Sequence, residues 1–544
     1  MISPAPTLSD RSLLIGFRRL KRKCPKELPS CSLCIRLEKR CEYPPRVQTQ
    51  YERASRESVA SPKTPDRDAG LQISSSPPEG LHLGLRQGVG QRHGPIQSFP
   101  AMFFLDSEIC IKPLLSDPYQ NMVPTINTPC SLPPEALAVH DEYFTTIHQW
   151  LPILSEKRVR RYIAEWRSAP EGPSQLLFLS MKLALEVNPF PRGSKLYMRV
   201  LEVLLHVENS YLPCLQLLQS VILISVYELG HAIYPAAYLR IGHASRLCAM
   251  MGFHDRKNAA QLFKDTVTWT AREEERRAWW AVFCLDRIIN QGINGLPFST
   301  PEPSPGELLP CPEIPWDEGG VGFNEPLFAA SFSNNTSLGS FANVCQAAHI
   351  LGRVLRHRDE LHSKNVVLDF RLAEAKQLHS ILASLTSHLI DISRESSLLS
   401  SSISTSLALC FSARLILYDI YACNEKYSTD HGRSSEEAEM QREAMAGIFD
   451  VTRCTWQLAR QILDLVEQAG TDGFENANPL LCHCLYAAAQ ESEWLILEQE
   501  NSTAGIWLCD MEELLRAISD RWKVAGVYLS EIHKWPGYNS LIKL

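Results

Sequence analysis

Among its 544 residues no stretch is expected to span a membrane, which takes about 20 apolar residues. The most apolar stretches, Val221–Tyr227 and Ala278–Leu285, are soon ended by Glu228 and Asp286, so no membrane partner is expected. A cationic start followed by an apolar run is missing from Met1–Asp10, and export is therefore not expected either. Sustained apolar–polar alternation is lacking, which argues against a sheet, and no repeat of fixed period is visible. The motifs H-E-x-x-H and G-x-S-x-G and the phosphate loop are absent. Gly88-Val89-Gly90 with Gly94 misses the dinucleotide-binding spacing. Without such chemistry an enzyme is not the expected reading.

Cysteine, by contrast, is plentiful. Seventeen Cys, an odd number in a chain without an export signal, point to reduced thiols rather than a disulfide framework. Several, including Cys214, Cys248, Cys284 and Cys410, fall in apolar helical runs, where a thiol is most simply a small core side chain. The net charge is −7 but unevenly spread. Residues 11–46 carry eleven Lys and Arg against three acids, a net +8, which leaves −15 on the remainder. A basic patch on an acidic body suits a head that binds a polyanion, carried by a body that does not.

Composition divides the chain into three parts. Residues 11–46 form the basic, Cys-rich module. Residues 47–134 are rich in Pro, Ser, Gly, Gln and Arg, with Ser74-Ser75-Ser76-Pro77-Pro78 as the clearest stretch. Such a segment buries too little apolar surface to offset its ordering entropy, so a mostly disordered linker is expected. Phe99–Ile111 is more apolar and is a candidate to dock onto the body. Residues 135–544 have helical periodicity. Ile241, Ala244, Cys248 and Met251 make one stripe, and Ala278, Val282, Leu285 and Ile289 another. Further helices are expected at Leu176–Glu186, Lys195–His206, Leu215–Leu229, Ala342–His362, Leu368–Ser393, Ile403–Cys423, Glu436–Gln468, Asn478–Glu498 and Met511–His533. Pro297–Gly320 and Phe323–Gly339 read as irregular loops. The expected fold is all-α, a large helical body behind a small module and a linker.

Within the module Cys24, Cys31, Cys34 and Cys41 are spaced C-x6-C-x2-C-x6-C, with Lys and Arg filling the gaps. Thiolates bind zinc tightly, and neighbouring cations favour the thiolate form. Four cysteines packed this closely in a reduced-compartment chain are hard to explain by core packing. Zn2+ is the cofactor they suggest.

This pattern resembles the fungal Zn2Cys6 binuclear zinc cluster, C-x2-C-x6-C, a short Pro-containing loop, then C-x2-C-x6-C followed by Tyr. Cys24 matches the third cysteine, Pro29 the loop, and Cys31, Cys34, Cys41 and Tyr43 the second half. Leu14 and Phe17 stand where the first two cysteines belong, and neither side chain can ligate zinc. The resemblance implies six thiolates holding two metals, so with four the two-metal cluster cannot assemble; closure at either metal requires regrouping around one zinc. Either the start of the sequence replaces a missed coding segment carrying C-x2-C, or the module has decayed.

The basic run Arg18-Arg19-Leu20-Lys21-Arg22-Lys23 is present where the family places its major-groove helix. The resemblance makes Arg18, Arg19, Lys21, Arg22 and Lys23 the candidate DNA contacts, Lys21 to bases and the others to phosphates. The run also fits a nuclear import signal. No heptad run follows Tyr43, so dimerisation through the linker is unsupported and a homodimer is left open.

The body resembles the fungal-specific transcription factor domain. Tyr143-Phe144 with His148–Leu154 is similar to its opening motif, Tyr238–Phe253 to its central helix, and Glu274–Arg287 to its most specific stretch. Gly295-Leu296-Pro297 follows as the family's Gly-x-Pro-like turn. The resemblance implies a regulatory, non-catalytic body and a nuclear regulator of RNA polymerase II genes, with promoter DNA and coregulators as partners. A helical protein–protein regulator that no longer binds DNA directly is the alternative. On their own chemistry, Trp279 and Trp280 are expected to pack in the core. Arg276, Arg277, Asp286 and Arg287 are expected to form weak ion pairs on the helix surface. Cys482-His483-Cys484 makes a poor chelate on a helix and is expected to be core.

Overall fold

The computed structural model describes residues 134–535 apart from 166–171, 188–189, 257, 260, 262–265, 267, 305, 328–337, 361–367, 396–399, 423–434, 470–477 and 500–502. The basic module, the linker and Phe99–Ile111 lie outside the described residues.

In chain order the helices are α1 (Pro134–Thr145), α2 (Glu156–Glu165), α3 (Gly172–Leu185), α4 (Lys195–Ser210), α5 (Leu215–Gly230), α6 (Ala236–Met250), α7 (Trp269–Ile289) and the short α8 (Glu313–Asp317). Then come α9 (Ser340–Asp359), α10 (Leu368–Glu395), α11 (Ser401–Ala422), α12 (Ser435–Ala469), α13 (Cys482–Gln499), α14 (Thr503–Arg521) and α15 (Lys523–Ile532). Among the described residues there is no strand, only an isolated antiparallel bridge between Leu308 and Pro326. The body is all-α, as expected.

Two helices that are apolar on every side organise the packing. All sixteen residues of α5 are buried, and α3, α6, α7 and α15 pack around it. A helix without a polar face is stable only when covered all round. Its two serines satisfy their hydroxyls on the helix itself, Ser220 on Gln216 O at 2.7 Å and Ser225 on Val221 O at 2.8 Å. The second centre, α11, is covered by α9, α10, α12 and α13. By length and composition α11 is apolar enough to cross a membrane, but 83% of that stretch is buried inside the body. Ser404, Thr405 and Ser406 also return their hydroxyls to carbonyls four residues back. Between the two centres α7 touches α5, α6 and α9, so one continuous core runs from Ala136 to Trp535.

The expected helix positions agree closely with the observed ones except near the C-terminal end. Met511–His533 is two helices, α14 and α15, separated at Trp522, whose backbone is extended (φ −109°, ψ 106°). Periodicity carries on through this break; tertiary packing makes it. The Trp522 indole is buried over Gly230 and His231, with the edge of Trp150 at a ring separation of 6.5 Å. Arg521 reaches Ala184 O at 3.3 Å. Pro297–Gly320 is also not wholly irregular, since α8 lies within it.

The Trp522 seat exists because Gly230 has no side chain: a Cβ there would lie 2.2 Å from the indole. Gly230→Ala should therefore destabilise the body by about 1–3 kcal/mol, the usual cost of overpacking. Urea unfolding of the full chain followed by tryptophan fluorescence measures this, and an unchanged midpoint would contradict the proposed seat.

Candidate functional site

The sequence-derived site residues Cys24, Cys31, Cys34, Cys41, Arg18, Arg19, Lys21, Arg22 and Lys23 lie outside the described residues. Among the described residues no group of three or more His, Cys, Asp or Glu is arranged to hold a metal ion. What the structure does display is the stretch of the body singled out above, Glu274–Arg287 on α7.

Its charged residues are not on the surface. Glu273, Glu274, Glu275, Arg277, Asp286 and Arg287 are all buried, which corrects the expectation of weak surface pairs. Trp279, Trp280 and Phe283 occupy more than one side of α7, and residues 277–289 are buried without a break, so the charges in that stretch are enclosed with it, while Arg272 is exposed and Arg276 half-buried. Thr268 starts the helix by accepting the Ala271 amide at 3.3 Å.

Glu273 and Arg277 are the first centre. Glu273 Oε1 accepts from Arg277 Nε at 3.0 Å and from the Cys311 amide at 2.8 Å. Glu273 Oε2 accepts from Arg276 and from Asn324 Nδ2. Arg277 spends its remaining donors on Cys311 O at 2.8 Å and Pro152 O at 3.3 Å, with Trp316 beneath the guanidinium at 4.6 Å. Burial alone would lower the Arg277 pKa, but the Glu273 and Glu313 carboxylates outweigh it and raise it. This pair clamps the chain before α2 and the 308–327 segment onto α7. Next to it, Glu274 accepts the Ser155 amide at 2.9 Å and pairs with Arg158 at 2.6 Å. Burial nevertheless pushes the Glu274 pKa up against the Arg158 charge.

Asp286 and Arg287 are the second centre. Asp286 accepts from Ser299 N at 3.2 Å, Thr300 N at 2.9 Å and the Thr300 hydroxyl at 2.7 Å. Arg287 lies between the Phe283 and Phe298 rings, 3.9 and 4.1 Å from their centroids, and donates to Glu302 at 2.8 Å. Gly352 of α9 leaves room for it, since a Cβ there would sit 2.9 Å from Arg287 Nε. Burial lowers the Arg287 pKa despite Asp286 and Glu302, whereas for Glu302 the Arg356 and Arg287 charges overcome burial and lower its pKa. Glu302, Thr300 and Glu273 went unnoticed in the sequence; the available signal was aromatics on several faces of one charged helix.

Glu273, Glu274, Arg277, Asp286 and Arg287 face protein rather than solvent, while Glu302 reaches the surface at their edge. The arrangement is a structural lattice, not a set of exposed reactive groups. The buried thiols agree: burial pushes Cys410 and Cys484 up to about 12, which leaves them protonated and unreactive. Cys482 and Cys484 are core residues, as expected.

A helical body of this build, continuing a basic Cys-rich head, defines a class, that of regulators with a separate nucleic-acid-binding head. The comparisons specify it. The profile of the fungal Zn(2)-Cys(6) binuclear cluster domain matches residues 18–50, and that of the fungal specific transcription factor domain matches residues 141–317. Transcription factor BOA15 of Botryotinia fuckeliana is 35% identical over 138 residues, 25% of this chain and 76% of that protein. The pigment biosynthesis transcriptional activator pigB of Monascus ruber is 26% identical over 242 residues, 42% of this chain and 43% of its own. The ascochitine biosynthesis cluster transcriptional regulator of Didymella fabae is 24% identical over 251 residues, 42% and 40% respectively. The chain thus spans about two fifths of the length of the latter two. It belongs to the family of fungal Zn(2)-Cys(6) transcription factors with the fungal-specific domain, which are DNA-binding transcriptional regulators.

Removing one partner of a buried pair leaves an uncompensated charge. Arg277→Met should destabilise the body by about 3–5 kcal/mol, and Glu273→Gln/Arg277→Met by less than the sum of the single changes. Denaturant unfolding of the three variants tests this; additive or negligible effects would mean the pair is not the clamp described. One buried acid has no such partner: Glu493 on α13 has an unpartnered Oε1, and burial raises its pKa to about 7. Its folded pKa exceeds its unfolded one, so the stability it contributes at low pH is lost as pH rises toward 7. Glu493→Gln does not titrate, so its stability relative to the parent should grow by about 2 kcal/mol between pH 4.5 and 7. A pH-independent difference would contradict the assignment.

Proposed function

We propose that this chain is a zinc-dependent regulator of RNA polymerase II genes, acting in the nucleus on promoter DNA and through coregulators. The observation that carries the reading is the run Arg18–Tyr43, in which a basic stretch leads directly into Cys24, Cys31, Cys34 and Cys41 and which falls inside the matched zinc-cluster region. The four thiolates are the zinc donors, and their number suits one tetrahedral zinc. Lys21 reads base edges, while Arg18, Arg19, Arg22 and Lys23 hold phosphates. Residues 11–46 are the DNA-binding module, 47–134 the linker and 135–544 the regulatory body. The relatives named for pigment and ascochitine biosynthesis support a further step, that the controlled genes form a biosynthetic cluster for a specialised metabolite.

A second reading, regulation through protein contacts alone, is favoured by one observation. Leu14 and Phe17 occupy the positions of the first two cysteines, and the matched cluster region begins only at residue 18.

Zinc content and duplex binding of the full chain separate the two readings. The unaltered chain should hold no more than one zinc, and its duplex affinity should fall with salt at a log–log slope of about −0.9 per phosphate contacted. Leu14→Cys/Phe17→Cys should raise the zinc content to two and tighten duplex binding by about tenfold or more. Two zincs on the unaltered chain would overturn the regrouped single site. Absence of duplex binding by both forms would support the protein-contact reading instead.

A further inference from the structure

Where the C-terminal ends of α5 and α7 meet the last helices, a cleft of about 290 Å3 opens. Its walls include Tyr234, Ile289, Ile293, Leu480, His483 and Tyr528. They come from the family-matched region (residues 141–317) and, beyond it, from the turn before α13 and from α13 and α15. The cleft is at the small end of the size range of ligand pockets.

Its chemistry is specific. No carboxylate, Lys or Arg is among the lining residues. Arg358, whose charge reaches His483, is committed to the carbonyls of Asn290, Gln291 and Ile293, and so fixes the turn that forms one rim. His483 shares one ring nitrogen, Nδ1, with Ser412 at 3.2 Å. Burial, followed by the Arg358 charge, lowers its pKa to about 4, so the imidazole is neutral near pH 7. The Tyr234 and Tyr528 hydroxyls make no protein hydrogen bond among the described residues. Tyr234 is 45% exposed, yet burial raises its pKa to about 12. The Tyr528 ring stacks on Tyr486 at 4.7 Å, which fixes its orientation.

We propose that this cleft is an effector site for an uncharged molecule of one or two rings bearing hydroxyl or carbonyl groups. Its apolar walls take the ring face, and the neutral His483, Tyr234 and Tyr528 supply hydrogen bonds. A charged ligand is disfavoured because no opposite charge waits for it and desolvation is not compensated. The bound molecule touches both the α5–α7 region and the α13–α15 helices and so fixes one relative arrangement of the two; affinity that depends on that arrangement would couple ligand to regulation. The proposal builds on the reading of the body as regulatory, but ligand binding is measured without DNA, so failure of one is distinguishable from failure of the other.

The test uses the full chain with 2-naphthol as the neutral probe and naphthalene-2-sulfonate as its charged counterpart, followed by fluorescence titration. The expected result is saturable 1:1 binding of 2-naphthol and binding of the sulfonate weaker by about tenfold or more. Gly292 lines the cleft and a Cβ there would meet nothing within 4 Å, so Gly292→Phe can fill the space without disturbing the core. It should weaken 2-naphthol about tenfold or more with an unchanged circular dichroism spectrum. Tyr528→Phe, which removes only a hydroxyl, should weaken it by about three- to tenfold. Absence of saturable 2-naphthol binding, equal affinity for the sulfonate, or insensitivity to Gly292→Phe would overturn the proposal.

Discussion

The ion pair between Glu273 and Arg277, sealed inside α7, is the contact on which the arrangement of the body depends. A buried charge must be paired and hydrogen-bonded to be tolerated at all, and here its partners come from distant parts of the chain. The Cys311 amide and carbonyl, the Pro152 carbonyl and the Asn324 amide all converge on it. Asp286 and Arg287 repeat the device three turns later with Ser299, Thr300 and Glu302. The irregular 298–327 stretch, which has little secondary structure of its own, is thereby attached to α7 at both ends.

That attachment explains how two apolar centres become one body. α5 and α11 each gather their own neighbours, and α7 lies between them with aromatic side chains on several faces. Apolar burial drives this assembly but is non-directional. The polar contacts along α7 select which strap lies where. Buried pairs of this kind often contribute little net stability compared with an apolar substitute. Their contribution here is to position the strap, and the cleft beside the α7 C-terminus inherits its geometry from the same helix.

Much of this was legible in the sequence, and the failures have physical causes. The apolar periodicity of Glu436–Gln468 marks a helix almost to its observed ends, because nothing in the tertiary structure overrides it. At Trp522 tertiary packing does override it: the indole seat on Gly230 cannot be seen without the fold. The run Glu274–Arg287 was recognisable as a motif, yet its charges looked like surface pairs because i, i+4 spacing is the same on exposed and enclosed helices. The head was legible in the opposite sense. Its chemistry, four cysteines amid cations, is written in spacing alone, while its placement falls outside the described residues.

The central claim, that this regulator reads DNA through its basic Cys-rich head, is tested most directly by selection from a random-sequence duplex pool. The full chain, loaded with zinc, would be carried through repeated rounds at rising salt and the retained duplexes sequenced. The account predicts convergence on one short motif, abolished when Lys21 is replaced by Ala. A retained pool as diverse as the input, with or without Lys21, would contradict it and leave the helical body as the only working part.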